Sequence, residues 1–136
     1  MRKNPGKMET PYNEALTGIL SFSSFAAAEN TIRRLENLCR KYRQASDKKG
    51  VEYCRQVALL GRRRAEAISR NPKVSLPKRL QKREIALWFK VWLETPDIFD
   101  DWLALRKSTA EFRRLLESEH INRGLGKRNA GGDKIS

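Results

Sequence analysis

Apolar positions recur with a helical period through most of the chain. From Phe25 they fall at Phe25, Ala28, Ile32, Leu35, Cys39 and Tyr42, in steps of 3, 4, 3, 4 and 3, with Leu38 widening the stripe. That spacing marks one face of an α-helix that packs along a neighbour. Ser23 or Ser24 can cap its start. A second segment repeats the same steps through Val51, Cys54, Ala58, Gly61, Ala65 and Ile68. Most of these are small, so two helix backbones can come close. Between the segments, Ser46-Asp47-Lys48-Lys49-Gly50 predicts a turn, with Ser46 or Asp47 capping the second helix. The reading is a long antiparallel hairpin over 24–69. Tyr53, Val57 and Leu60 widen its apolar arc to one side, where a third helix must cover them.

That third helix is the most apolar stretch of the chain. All three tryptophans, Trp88, Trp92 and Trp102, fall between Leu80 and Trp102, and from Ile85 to Leu93 only Lys90 is charged. Such a helix must be covered around most of its circumference, which makes it the centre of the fold. Arg79, Arg83, Ala86 and Lys90 mark the strip expected to face water. The prolines of Asn71-Pro72-Lys73-Val74-Ser75-Leu76-Pro77 break the preceding helix, and Ser75 leads into the central one. It ends at Glu94, where Thr95-Pro96-Asp97 predicts a restart, with Thr95 as cap and Pro96 in the first helical position. The last apolar stripe runs through Ile98, Trp102, Leu105, Phe112 and Leu116. Ser108-Thr109-Ala110-Glu111 fits a capping box that would split it in two.

No strand alternation appears. The expected fold is all-α: a small helical bundle in which the hairpin packs on a second helical pair over 76–118, within one domain spanning 15–118. Residues 1–14, with two prolines and a glycine, predict a flexible arm before a short turn at 15–20. Residues 119–136, rich in glycine and charge, predict a disordered basic tail.

Charge adds a direction to this picture. The 136 residues carry a net charge of +13. Residues 30–94 hold eighteen Lys and Arg against six Asp and Glu, whereas 95–120 sum to −2. The excess belongs to the middle of the chain, where it either serves solubility or attracts a polyanion. Arg62-Arg63-Arg64 with Arg55, Arg70, Lys73, Lys78, Arg79, Lys82 and Arg83 surrounds the second helix end and the proline loop. Arginine suits bidentate phosphate contact, so Arg55, Arg62, Arg63, Arg70, Lys78, Arg79 and Lys82 are the candidate contacts to nucleic-acid phosphates. The aromatics sit in apolar company and read as core, not as base-stacking platforms. The alternative is a helical scaffold whose surplus apolar surface meets an acidic protein or a second copy of the chain.

Other chemistries find little support. His120 is the single histidine, so two cysteines and one distant imidazole cannot complete a zinc site. No nucleophile elbow occurs, and Gly126-Lys127 is followed by Arg128 where a phosphate loop needs Ser or Thr. Glu94, Asp97, Asp100 and Asp101 suit salt bridges and helix starts better than a divalent cation. Neither a metal, a cofactor nor an enzymatic activity is expected. If the hairpin pivots between Ser46 and Asp47, Cys39 and Cys54 lie opposite each other. They are then either two reduced core residues or, as the minor reading, a disulfide. No apolar run approaches the ~20 residues of a membrane span. Glu9 and Glu14 argue against a secretion signal, which leaves the cytoplasm as the expected compartment.

Overall fold

The computed structural model describes residues 22–131, with side chains through Ile121. The expected arm, the turn at 15–20 and the last five residues lie outside it. Five α-helices follow in order: α1 Phe25–Gln44, α2 Lys48–Ser69, α3 Leu76–Glu94, α4 Phe99–Lys107 and α5 Ala110–Gly131. A 3-10 turn, Pro96–Ile98, joins α3 to α4. The fold is all-α.

Local chemistry sets the helix ends. Ser24 caps α1, its hydroxyl accepting from the Ala27 N–H at 3.0 Å. The Asp47 carboxylate caps α2 by accepting from the Gly50 N–H at 2.9 Å. Between them the chain closes with a Schellman pattern: the Asp47 N–H donates to the Tyr42 carbonyl and the Ser46 N–H to the Arg43 carbonyl. Ser46 takes the left-handed conformation (φ 57°) that glycine usually fills. Gly50 answers a different need. A Cβ there would lie 2.5 Å from the Tyr42 ring, which rests against the backbone.

Thr95 differs from expectation. It makes no side-chain cap for the 3-10 turn. Its hydroxyl donates backward to the Val91 carbonyl at 3.0 Å and closes the end of α3 instead. The predicted break at Ser108 is present, and there Thr109 accepts from the Phe112 N–H at 3.1 Å.

The core follows the predicted stripes. Phe25, Ala28, Ile32, Leu35 and Cys39 are buried from α1, and Cys54, Val57, Ala58, Gly61 and Ala65 from α2. Helix α3 supplies the largest buried share, and its most extensive contact is with α2. Phe25, Trp88 and Phe112 form a three-ring cluster with centroids 5.0–5.8 Å apart, tying α1, α3 and α5 at one point. Tilted rings at this separation add to the apolar burial.

Of the expected tail over 119–136, residues 119–131 fall in the last described helix and 132–136 lie outside the described residues. Helix α5 runs on through Gly131. Glu119 is buried, and its carboxylate accepts from the Phe25 N–H at 2.7 Å and from Gln81 Nε2 at 2.5 Å. A carboxylate at the positive end of α1 is favourably placed and anchors the helix that carries it. Gly124 and Gly126 each weaken a helix by about 1 kcal/mol relative to alanine, which does not suffice to break it.

Candidate interaction groove

The seven candidate phosphate contacts differ in exposure. Lys82 is the buried one. It is 3% exposed, donates to the Phe22 carbonyl and lies 5.4 Å from the centre of the Phe22 ring. Its position on the covered side of α3 explains the difference, since a lysine stem can bury itself while its head finds a carbonyl. Burial, and then the charge of Lys78, push the Lys82 ammonium down to about 8, against a smaller opposing pull from Glu119. Arg55 donates to the Leu93 carbonyl at 3.2 Å and Arg79 to the Val74 carbonyl at 2.9 Å, so both serve as braces. Arg62 pairs with Glu66 at 3.2 Å. Arg55, Arg63, Arg70 and Lys78 are exposed.

A different arrangement emerges around α3. Helix α3 packs against both α2 and α5, which make no extensive contact with each other. They wall an open groove of about 920 Å³ whose floor is α3. Eight residues of α3 line it, and five of them, Leu76, Leu80, Arg83, Leu87 and Lys90, fall in steps of 4, 3, 4 and 3, with Pro77, Glu84 and Ala86 beside them. The strip read from the sequence is therefore shifted. Ala86 is buried and Leu87 takes the more exposed place. Arg62, Glu66 and Arg70 line the α2 wall, and Glu111, Arg114, Leu115 and Ser118 the α5 wall. Cations outnumber acids in the lining, and Arg70, Arg83, Lys90 and Arg114 have no carboxylate partner among the described residues.

The groove's edge is fixed by a buried ion pair. Glu84 accepts two hydrogen bonds from Arg106, at 2.7 and 2.6 Å, and a third from the Trp88 indole at 3.0 Å. The two-pronged geometry satisfies a carboxylate that is otherwise sealed from water. Those bonds raise the Arg106 guanidinium above its ordinary value, against the opposing effect of burial. Arg106 also reaches Glu111 at 3.5 Å, so α3, α4 and α5 meet at one charge centre.

The remaining candidates are structural. Cys39 and Cys54 are both buried and free. Burial raises both thiols, and Cys54 is pushed up to about 12 with Cys39 adding to the effect. Such thiols are poor nucleophiles and inert core residues. Asp100 pairs with Arg33 at 2.7 Å, the salt-bridge use expected of the acidic group. No set of three metal-ligating side chains converges among the described residues. Nor is any described helix long and apolar enough to cross a membrane.

Compared with known family models, curated proteins and solved structures, the chain matches none. The groove must be read from its own residues. Sequence reasoning found Arg83 and Lys90 but missed Leu76, Leu80 and Leu87 on the same face, because leucines on an apolar helix were assigned to the core. Their steps of 4, 3, 4 and 3 were the available signal. For Glu84 the signal was a tryptophan four residues later whose indole N–H needs an acceptor when buried. Glu119 gave no local sign, since its partner lies 94 residues away.

Proposed function

We propose that the protein is a non-catalytic interaction module of the cytoplasm that seats an anionic protein partner in the groove between α2, α3 and α5. One observation carries this reading: the central helix leaves Leu76 exposed and Leu80 and Leu87 only partly buried between walls whose cations outnumber their acids. A leucine stripe contributes binding energy through contact with apolar side chains, which a phosphate backbone does not supply. The cations then set orientation and speed of encounter more than affinity.

A second reading keeps the nucleic-acid contact, now moved to the elbow between α2 and α3. Arg63, Arg64, Arg70 and Lys78 are exposed there and have no carboxylate partner among the described residues. Exposed aromatic platforms do not accompany them, as Trp88 and Trp92 are buried and their indoles donate to Glu84 and Glu36.

Fluorescence anisotropy across a salt series separates the two. Duplex DNA, single strands and structured RNA are compared at physiological salt with heparin as competitor. The interaction-module reading expects all three to bind weakly and alike, with heparin stripping each. One nucleic acid that survives both, and is lost on Arg63→Glu with Arg70→Glu, would overturn it in favour of the second reading.

A further inference from the structure

The groove has a shape and a period that narrow the class of partner. From Leu76 to Lys90 its floor spans fourteen helical steps, about 21 Å or four turns. Along that length α3 presents apolar and basic side chains in the 4, 3, 4, 3 rhythm that two helices share when their side chains interlock. An extended peptide, which repeats every two residues, falls out of register with such a floor after one turn.

The electrostatics set the partner's sign. Arg70 stands on one wall, Arg114 on the other, Arg83 rises from the floor between Leu80 and Leu87, and Lys90 follows Leu87. None of the four pairs with a carboxylate among the described residues, although Arg62 and Arg106 in the same groove do. A second copy of this chain carries the same positive excess and would bring like charge to the groove. A helix with acids flanking an apolar stripe answers both the leucines and the free cations.

We infer that the groove binds an acidic amphipathic helix of about four turns from a partner protein, lying along α3 between α2 and α5. This rests on the interaction-module reading and specifies its partner. Apolar side chains of the incoming helix at heptad steps interlock with Leu76, Leu80 and Leu87. Glutamates or aspartates beside them reach Arg83, Lys90 and Arg114.

The test uses the full chain and synthetic four-turn peptides. One peptide carries leucines at heptad steps flanked by glutamates, and a second has the same composition scrambled. A third keeps the leucines with lysine in place of glutamate. Binding is read from amide chemical shifts of the protein and from helicity gained by the peptide. The patterned acidic peptide is expected to shift residues lining the groove, gain helicity, and bind at least about tenfold tighter than either control. The double substitution Leu80→Glu with Leu87→Glu should weaken it about tenfold or more, and Arg83→Glu with Arg114→Glu likewise. Equal binding by the scrambled peptide overturns the helix. Groove shifts that respond to protein concentration instead of peptide make the occupant a second copy, which also overturns it but leaves the module reading standing. If they respond to neither, while Leu87→Glu alters the shifts of residues 1–21, the chain fills its own groove and the inference fails. Tight binding of a nucleic acid at the same residues removes both this inference and the reading beneath it.

Discussion

Helix α3 has two sides built from the same kinds of residue and used in opposite ways. On one side Ile85, Trp88, Phe89 and Trp92 are buried, with Trp88 and Phe89 losing all contact with water. On the other, Leu76, Leu80 and Leu87 alternate with Arg83 and Lys90 in an open groove. Both stripes have helical spacing. What separates them is cover: Phe25 and Phe112 arrive over Trp88 from α1 and α5, whereas nothing described spans the gap between α2 and α5 over the leucines. Apolar spacing alone therefore says that a helix face wants a neighbour, and only the arrangement of the other helices says whether this chain provides it.

The comparison is broken most severely on the sealed side. Trp88→Ala empties the three-ring cluster, and urea denaturation should show a loss of about 3–5 kcal/mol. Glu84→Ala should cost a similar or slightly smaller amount, on the order of 3 kcal/mol, because it strands the Arg106 guanidinium and the Trp88 N–H together. Its denaturation midpoint should recover when Arg106 is replaced by methionine in the same chain.

Lys82 tests the border of the sealed side by pH. Its ammonium is pushed from 10.5 to about 8 in the folded protein. Between those values the unfolded chain holds a proton that the folded chain has released. Stability therefore rises with pH through that window, and the full penalty is present below it. Cys54, Cys39 and Tyr42 act with the opposite sign, since burial raises each of them and stability falls as the unfolded groups ionise. The Lys82 contribution is isolated by comparing the wild type with Lys82→Met. Their stability difference should change by up to about 3 kcal/mol between pH 7 and pH 10.5, in favour of the wild type at the higher value. A difference that stays flat with pH would show that Lys82 keeps its ordinary proton affinity.

The smallest effect is expected on the open side. Leu87→Gln replaces a partly buried side chain that lines the open groove, and stability should change by less than about 1 kcal/mol. Circular dichroism melts of Leu87→Gln and Trp88→Ala, adjacent positions on one helix, give the contrast directly.

Much of the hairpin was legible in the sequence because its information is local. The apolar steps from Phe25 and from Val51, the caps at Ser24 and Asp47 and the break at Ser108 are each set by residues within a few positions. What depends on distant partners was not legible. Helix α5 is held by Glu119 against the start of α1, a contact that no neighbouring residue announces. Lys82 looked like a surface cation until the Phe22 carbonyl and ring were placed over it. The groove itself exists because α2 and α5 stay apart, and no stretch of sequence records the distance between two helices that share no extensive contact.

The measurement that bears most directly on the account is urea denaturation of Leu80→Glu with Leu87→Glu, run beside the wild type and Trp88→Ala. If the two leucines floor an open groove rich in unpaired cations, two new carboxylates are solvated and attracted there. The double variant should then unfold within about 1 kcal/mol of the wild type while Trp88→Ala falls by several. A loss in the double variant as large as that of Trp88→Ala would contradict it, because Leu80 and Leu87 would then be buried in the working protein and no groove would be left to fill.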